Sequence, residues 1–155
     1  MSVAHLHLLL NHVPLIGIVG VALLFALALR RRSDELSRVA LGVTVALALV
    51  AGAVFLTGEP AEELVEHLPG FDDALVERHE EAALLATIAF GGLGVLAAGV
   101  LLWARRHPLP RRTATLGLAG ALALTALVGW TANLGGMIRH TEIRPGVVAM
   151  EHAER

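Results

Sequence analysis

The chain has no cysteine and no lysine, and only six of its 155 residues are aromatic. Without cysteine there is no disulfide framework, no thiolate-ligated metal and no iron–sulfur cluster. Without lysine, all twelve basic residues are arginine. This fits a coding bias, although arginine is also the better clamp for anions. The sequence also lacks a nucleotide-binding loop, a Ser-His-Asp arrangement, a nucleic-acid patch and a strong metal motif such as His-Glu-x-x-His. The net charge of −2 is small, and its distribution carries more information than its total.

What the chain has in quantity is hydrocarbon. Apolar residues make up 55% and the mean hydropathy is +0.68, too apolar for an ordinary soluble domain. A helix needs about 17–25 apolar residues to cross a bilayer, and four runs meet that length: 13–29, 39–57, 82–104 and 113–134. No basic segment precedes the first run and no small-residue cleavage site follows it, so it reads as a span rather than a cleaved signal peptide. The expected fold is all-α: an integral membrane four-helix up-down bundle, forming one transmembrane domain. A loop at 58–78 carries a short helix over 60–68, and a tail follows at 145–155.

Charge orients this bundle. Arg30, Arg31, Arg32 and Arg38 lie between the first two runs, and Arg105, Arg106, Arg111 and Arg112 between the last two. Cationic loops stay on the cytoplasmic side. Both termini and the 58–78 loop are then expected outside, periplasmic if the membrane is a bacterial inner membrane. Trp103 and Trp130 fall near opposite interfaces, where indoles prefer to sit.

Seven of the eight histidines (His5, His7, His12, His67, His79, His140 and His152) and twelve of the fourteen acidic residues fall on the outer side. Ionisable groups at membrane depth are costly and are usually there for function. Helical spacing sorts them. Ser2 caps a first helix with His5 and His12 on one face and His7 and Asn11 on the next. Pro14 frees the Leu10 carbonyl and predicts a kink near His12. Gly58 ends the second span, Pro60 suits the first turn of the short helix, and Asp72 or Asp73 caps the third long helix. Below Glu80, the stripe Leu84, Thr87, Gly91, Gly94 and Ala98 predicts that this carboxylate faces the bundle interior. His79 leads a second stripe of Ala82, Ala83, Ala86 and Phe90. In the fourth helix Thr125, Gly129, Asn133, Gly136 and His140 form a polar, small-residue stripe, read as inward if the helix persists through Gly135-Gly136.

Imidazole and carboxylate are the ligands of iron, manganese, zinc or copper where thiolates are missing, and helical bundles build such sites from facing helices. One candidate comes from each helix end: His12, Glu59, His79 and His140. Asn11, Glu80, Asn133, Arg139 and Glu142 stand behind them as cofactor-binding or orienting groups, with Glu63 and His67 as reserves. The expected function is binding of a transition metal ion at the outer face, in redox or electron-transfer work or in metal-dependent chemistry on a small molecule. Two alternatives stay open. One is a b-type haem held by paired histidines, His12 with His79 or His140, with Arg78, Arg139 and Arg144 available to the propionates. The other is a cofactor-free structural or accessory subunit, in which Asn133, His140 and Glu59 form a hydrogen-bond network. A transport path is disfavoured, because the inner halves of the spans offer only Thr44, Thr87 and Thr125. The expected partners are the lipid bilayer and either a second copy or a larger membrane complex.

The segments His5-Leu6-His7-Leu8-Leu9-Leu10-Asn11-His12-Val13-Pro14, Gly58-Glu59-Pro60-Ala61-Glu62, His79-Glu80-Glu81-Ala82-Ala83 and Ala132-Asn133-Leu134-Gly135-Gly136-Met137-Ile138-Arg139-His140-Thr141-Glu142-Ile143-Arg144 resemble a group of uncharacterised bacterial four-span inner-membrane proteins. A wider set, with His-Phe-Pro where this chain has His12-Val13-Pro14, looks somewhat like small b-type cytochromes. The resemblance covers nearly the whole chain. It implies a site at the outer face and raises the haem alternative, but it implies no reaction.

Overall fold

The structure, a computed structural model, describes residues 2–64, 66–67 and 71–144. Among the described residues six helices follow in order: α1 (Val3–Leu10), α2 (His12–Arg31), α3 (Asp34–Leu56), α4 (Gly58–Glu62), α5 (Asp73–Ala104) and α6 (Arg111–Arg139), then a 3₁₀ turn at Thr141–Ile143. Four helical segments are long and apolar enough to cross a membrane: Val3–Arg31, Asp34–Leu56, Asp73–Ala104 and Arg111–Arg139. They form an all-α four-helix bundle in which α2, α3, α5 and α6 close a ring, each packed on the next and α6 back on α2.

Local chemistry explains the helix ends. The Ser2 hydroxyl accepts from the His5 amide and starts α1. The expected kink takes the form of a one-residue interruption at Asn11, where Pro14 cannot donate to the Leu10 carbonyl. Arg32 ends α2 in the left-handed region (φ 52°), and the Ser33 amide reaches back to the Ala28 carbonyl at 3.0 Å. Ser33 then caps α3 through the Leu36 amide, and Asp72 caps α5 through the Leu75 amide. The short helix begins two residues earlier than expected and is described to Glu62. Its expected end at 65–68 lies partly outside the described residues, and the 145–155 tail lies wholly outside them.

The core runs along the ring axis from Ile18, Val21 and Phe25 of α2 to Leu41, Thr44 and Leu47 of α3, Ala86 and Phe90 of α5, and Ala121, Leu124 and Val128 of α6. Each side of the ring has a glycine at a close approach: Gly17 under Leu47, Gly94 against Ala48, Gly117 under the Phe25 ring and Gly120 beside Leu93. Lipid tails are as apolar as leucine, so burial alone does not draw helices together in a bilayer. Association there depends on close van der Waals contact, which small residues allow.

Two predicted faces are corrected. On α6 the buried stripe is Ala114, Ala121, Leu124, Val128, Leu134 and Met137, while Gly129, Asn133 and His140 are exposed. On α5 the buried stripe is Ala82, Ala86, Phe90, Gly94 and Ala97, the one led by His79, and Glu80 and Leu84 are exposed. In both helices the face with more close-packing hydrocarbon won the interior. The weakly polar face was left outside.

At the arginine-rich end one side chain ties the two connections together. Arg38 donates to Asp34 from Nε (3.1 Å) and Nη2 (3.0 Å), to the Ala104 carbonyl (2.9 Å) and to the His107 carbonyl (3.1 Å). Asp34 in turn accepts from the Leu109 amide at 3.2 Å. At the other end Arg144 closes α6 by donating to the carbonyls of Met137 and Ile138 at 2.9 and 3.1 Å. It also pairs with Asp72 at 3.7 Å, which joins the C-terminus of α6 to the N-cap of α5.

Candidate functional site at the histidine end

The candidate site lies at the end of the bundle that carries α1, α4, the start of α5 and the end of α6, with α1 packed on α4 and α5 on α6. α1 rests on α4 and touches α3, which brings His7 to the Thr57–Gly58 turn. The His7 Nδ1 lies 3.0 Å from the Thr57 hydroxyl oxygen, and the hydroxyl itself donates to the Val54 carbonyl at 2.8 Å. The hydroxyl proton is therefore already committed, so the oxygen accepts and His7 donates from Nδ1. His79, half-buried, places its Nδ1 3.1 Å from the Thr131 carbonyl, which can only accept. Both histidines thus carry their proton on Nδ1 in the neutral form and leave Nε2 as a bare lone pair. Metal-bound histidine is commonly oriented this way, the outer nitrogen donating to a carbonyl or other fixed acceptor.

Both imidazoles lie at the histidine end of the bundle, His7 on α1 and His79 on α5. Glycines lie beside both rings. A Cβ on Gly58 would lie 3.8 Å from His7 Cε1, and one on Gly135 only 2.9 Å from His79 Cε1. Along the rim, Glu62 of α4 faces Glu80 of α5. Loss of hydration, the hydrogen bond to Glu80 and the charges of Glu80, Glu66 and Glu59 push the Glu62 carboxyl up to about 6.

Of the four first-choice ligands, His79 alone turns toward the bundle; His12, Glu59 and His140 are exposed. His12 donates back to the Leu8 carbonyl of its own helix at 2.7 Å. His140 caps α6 and sits 2.8 Å from Glu142, whose carboxyl is held below the usual range by its own backbone amide and by His140. Glu80, Asn133 and Arg139 are exposed, and Asn11 occupies the α1–α2 interruption. Among the described residues no group of three or more His, Asp or Glu converges to hold a metal ion.

His7, Thr57, Glu62 and the Thr131 carbonyl were not chosen from the sequence as site groups. A signal for His7 was present: seven residues on is Pro14, and Ile18, Val21 and Phe25 continue the same buried stripe. His12 instead leads Ile16, Val19 and Leu23, all exposed. Thr131 and Thr57 act through backbone position and a shared hydroxyl, which no spacing rule marks.

Comparison with known proteins finds no protein-family model, no curated protein and no solved structure that matches this chain.

Proposed function

We propose that this is a membrane-embedded electron-transfer protein holding a b-type haem through His7 and His79 at one end of its bundle. The observation that carries the reading is the shared orientation of these two side chains. Each spends its Nδ1 proton on a fixed acceptor, Thr57 or the Thr131 carbonyl, and keeps Nε2 available as a ligand. Two imidazoles are too few for a bare ion that needs three or four protein ligands. They suffice for an iron that already carries four pyrrole nitrogens. Two imidazoles with Nε2 unspent and a glycine beside each ring support this reading. Bound there, haem would supply an iron that accepts and releases one electron. The chain's own residues orient the two ligands and exclude water on the bundle side. The arginine asymmetry supports a site outside the cytoplasm, in the periplasm of a bacterial inner membrane.

A second reading, a non-haem metal at His12, Glu59, His79 and His140, keeps one geometric support. The Glu142 carboxylate orients His140 as carboxylates orient metal-bound histidines.

The test is the absorption spectrum of the detergent-purified protein, expressed with haem precursor, beside H7A and H79A variants and with elemental analysis of each. The expected result is a Soret band with about one iron per chain, lost in either variant. Iron, zinc or copper without a Soret band, lost in H140A and retained in H7A, would favour the second reading. Neither metal nor haem after haemin titration would sink both, leaving a cofactor-free subunit.

A further inference from the structure

The arginine-rich end has a feature that this site does not use. Between α3 and α5 an open furrow of about 370 Å³ is lined by Gly42, Val45, Ala98, Leu101, Leu102 and Arg105. Five of these six are apolar or lack a side chain, and the sixth is a guanidinium. We propose that the furrow is a binding site for one anionic phospholipid, with an acyl chain lying along Gly42, Val45, Ala98 and Leu101 and the headgroup phosphate on Arg105.

Three observations carry this. The furrow is apolar along its length and cationic at the helix end, the polarity order of a lipid. Arg105 immediately follows α5, and two residues back Trp103 stacks on His107 with ring centroids 4.7 Å apart. Half-exposed indoles of this kind mark headgroup depth, so the guanidinium stands at the level of lipid phosphates. The local charge is also strongly positive. Of the two carboxylates at this end, Asp34 is taken by Arg38, which leaves Glu35 against Arg30, Arg31, Arg32, Arg105, Arg106, Arg111 and Arg112. Arginine binds phosphate through paired N–H donors, and basic pockets between spanning helices on the cationic side suit anionic headgroups.

Gly42 separates a built site from general surface attraction. A Cβ there meets nothing within 4 Å, so Gly42→Leu starts its side chain in open space and places it in the furrow without altering charge. The protein is reconstituted in bilayers of zwitterionic phosphatidylcholine with anionic phosphatidylglycerol, re-extracted in mild detergent, and weighed with its retained lipids by native mass spectrometry. Helical content is checked by circular dichroism. The wild type is expected to keep phosphatidylglycerol over phosphatidylcholine. R105Q and G42L each reduce that retention by about tenfold, the scale of one lost charge-assisted contact. R78Q, at the opposite end of α5, leaves it unchanged. The proposal is overturned if the wild type retains both lipids equally, or if G42L retains phosphatidylglycerol as the wild type does. A dimer mass that G42L abolishes would also overturn it, by assigning the furrow to a second copy of the chain.

Discussion

His79 of α5 rests against the bare backbone of Gly135 in α6, so closely that a Cβ at that glycine would stand 2.9 Å from the ring's Cε1. The same ring donates to the Thr131 carbonyl one turn earlier at 3.1 Å. The glycine and the carbonyl together set where the free Nε2 stands.

Gly135→Ala should therefore push the imidazole off Thr131. The expected cost is about 1–3 kcal/mol, as for overpacking at other tight contacts. Gly136→Ala is the control, because its Cβ would meet Ile143 at an ordinary 3.8 Å. Imidazole ¹⁵N NMR reads the outcome: the Nδ1–H signature of His79 is lost in G135A and kept in G136A. Identical spectra would mean that the glycine contact does not position the ring.

The helix ring predicts an order among glycine substitutions. A Cβ on Gly94 would lie 2.5 Å from the Cβ of Ala48, which cannot rotate away, whereas one on Gly17 meets the mobile methyls of Leu47. Gly94→Ala must part α3 from α5 and is expected to destabilise by about 1–3 kcal/mol. Gly17→Ala should lose less, since Leu47 can change rotamer. Thermal unfolding in detergent measures both, and an equal or reversed order would refute the close-approach account.

Glu62 gives the histidine end a pH dependence. Its carboxyl rises from 4.5 to about 6 in the folded protein, so the folded state holds the proton more firmly than the unfolded chain. The stabilisation is fully present below about pH 4.5 and is lost as pH rises through about 6. Above that, Glu62 carries its charge without the loss of hydration at this site being offset. Hydrogen exchange of the α4 amides, corrected for intrinsic rates, should show more protection at mildly acidic than at neutral pH. Glu62→Gln should flatten the profile, and a flat wild-type profile would contradict the pairing.

Arg38 is expected to matter more than the other arginines at its end. Arg38→Ala removes donors from Asp34 and from the Ala104 and His107 carbonyls, at an expected cost of about 1–2 kcal/mol, since a partly exposed network is worth more than a lone surface pair. Arg38→Lys should recover only part, because an ammonium lacks the guanidinium fork. Arg31→Ala should change thermal stability little. Equal effects of R38A and R31A would show that the clasp adds nothing.

Hydropathy, end signals and arginine placement made the outline legible: four spans, a break near His12, caps at Ser2 and Asp72, and histidines gathered at one end. Such signals depend on neighbours in sequence or on transfer to lipid, and both are properties of the chain itself. The faces were harder to read. Spacing placed His79 on an inward stripe that the structure keeps, yet it also turned Asn133, His140 and Glu80 inward, where the structure leaves them exposed. In water a polar stripe and an apolar stripe differ greatly in cost. Near a membrane interface the difference is small, and detailed contact between helices decides.

The sequence by itself determined that this chain is a helical membrane bundle with most of its arginine at one end and most of its histidine at the other. Only the tertiary structure decided which histidines are held by fixed acceptors. His7 and His79 are 72 positions apart in the chain, and their common orientation comes from a hydroxyl on Thr57 and a carbonyl on Thr131. A hydrogen bond to backbone leaves no trace in residue type, and a glycine chosen for close approach looks the same in sequence as one facing lipid.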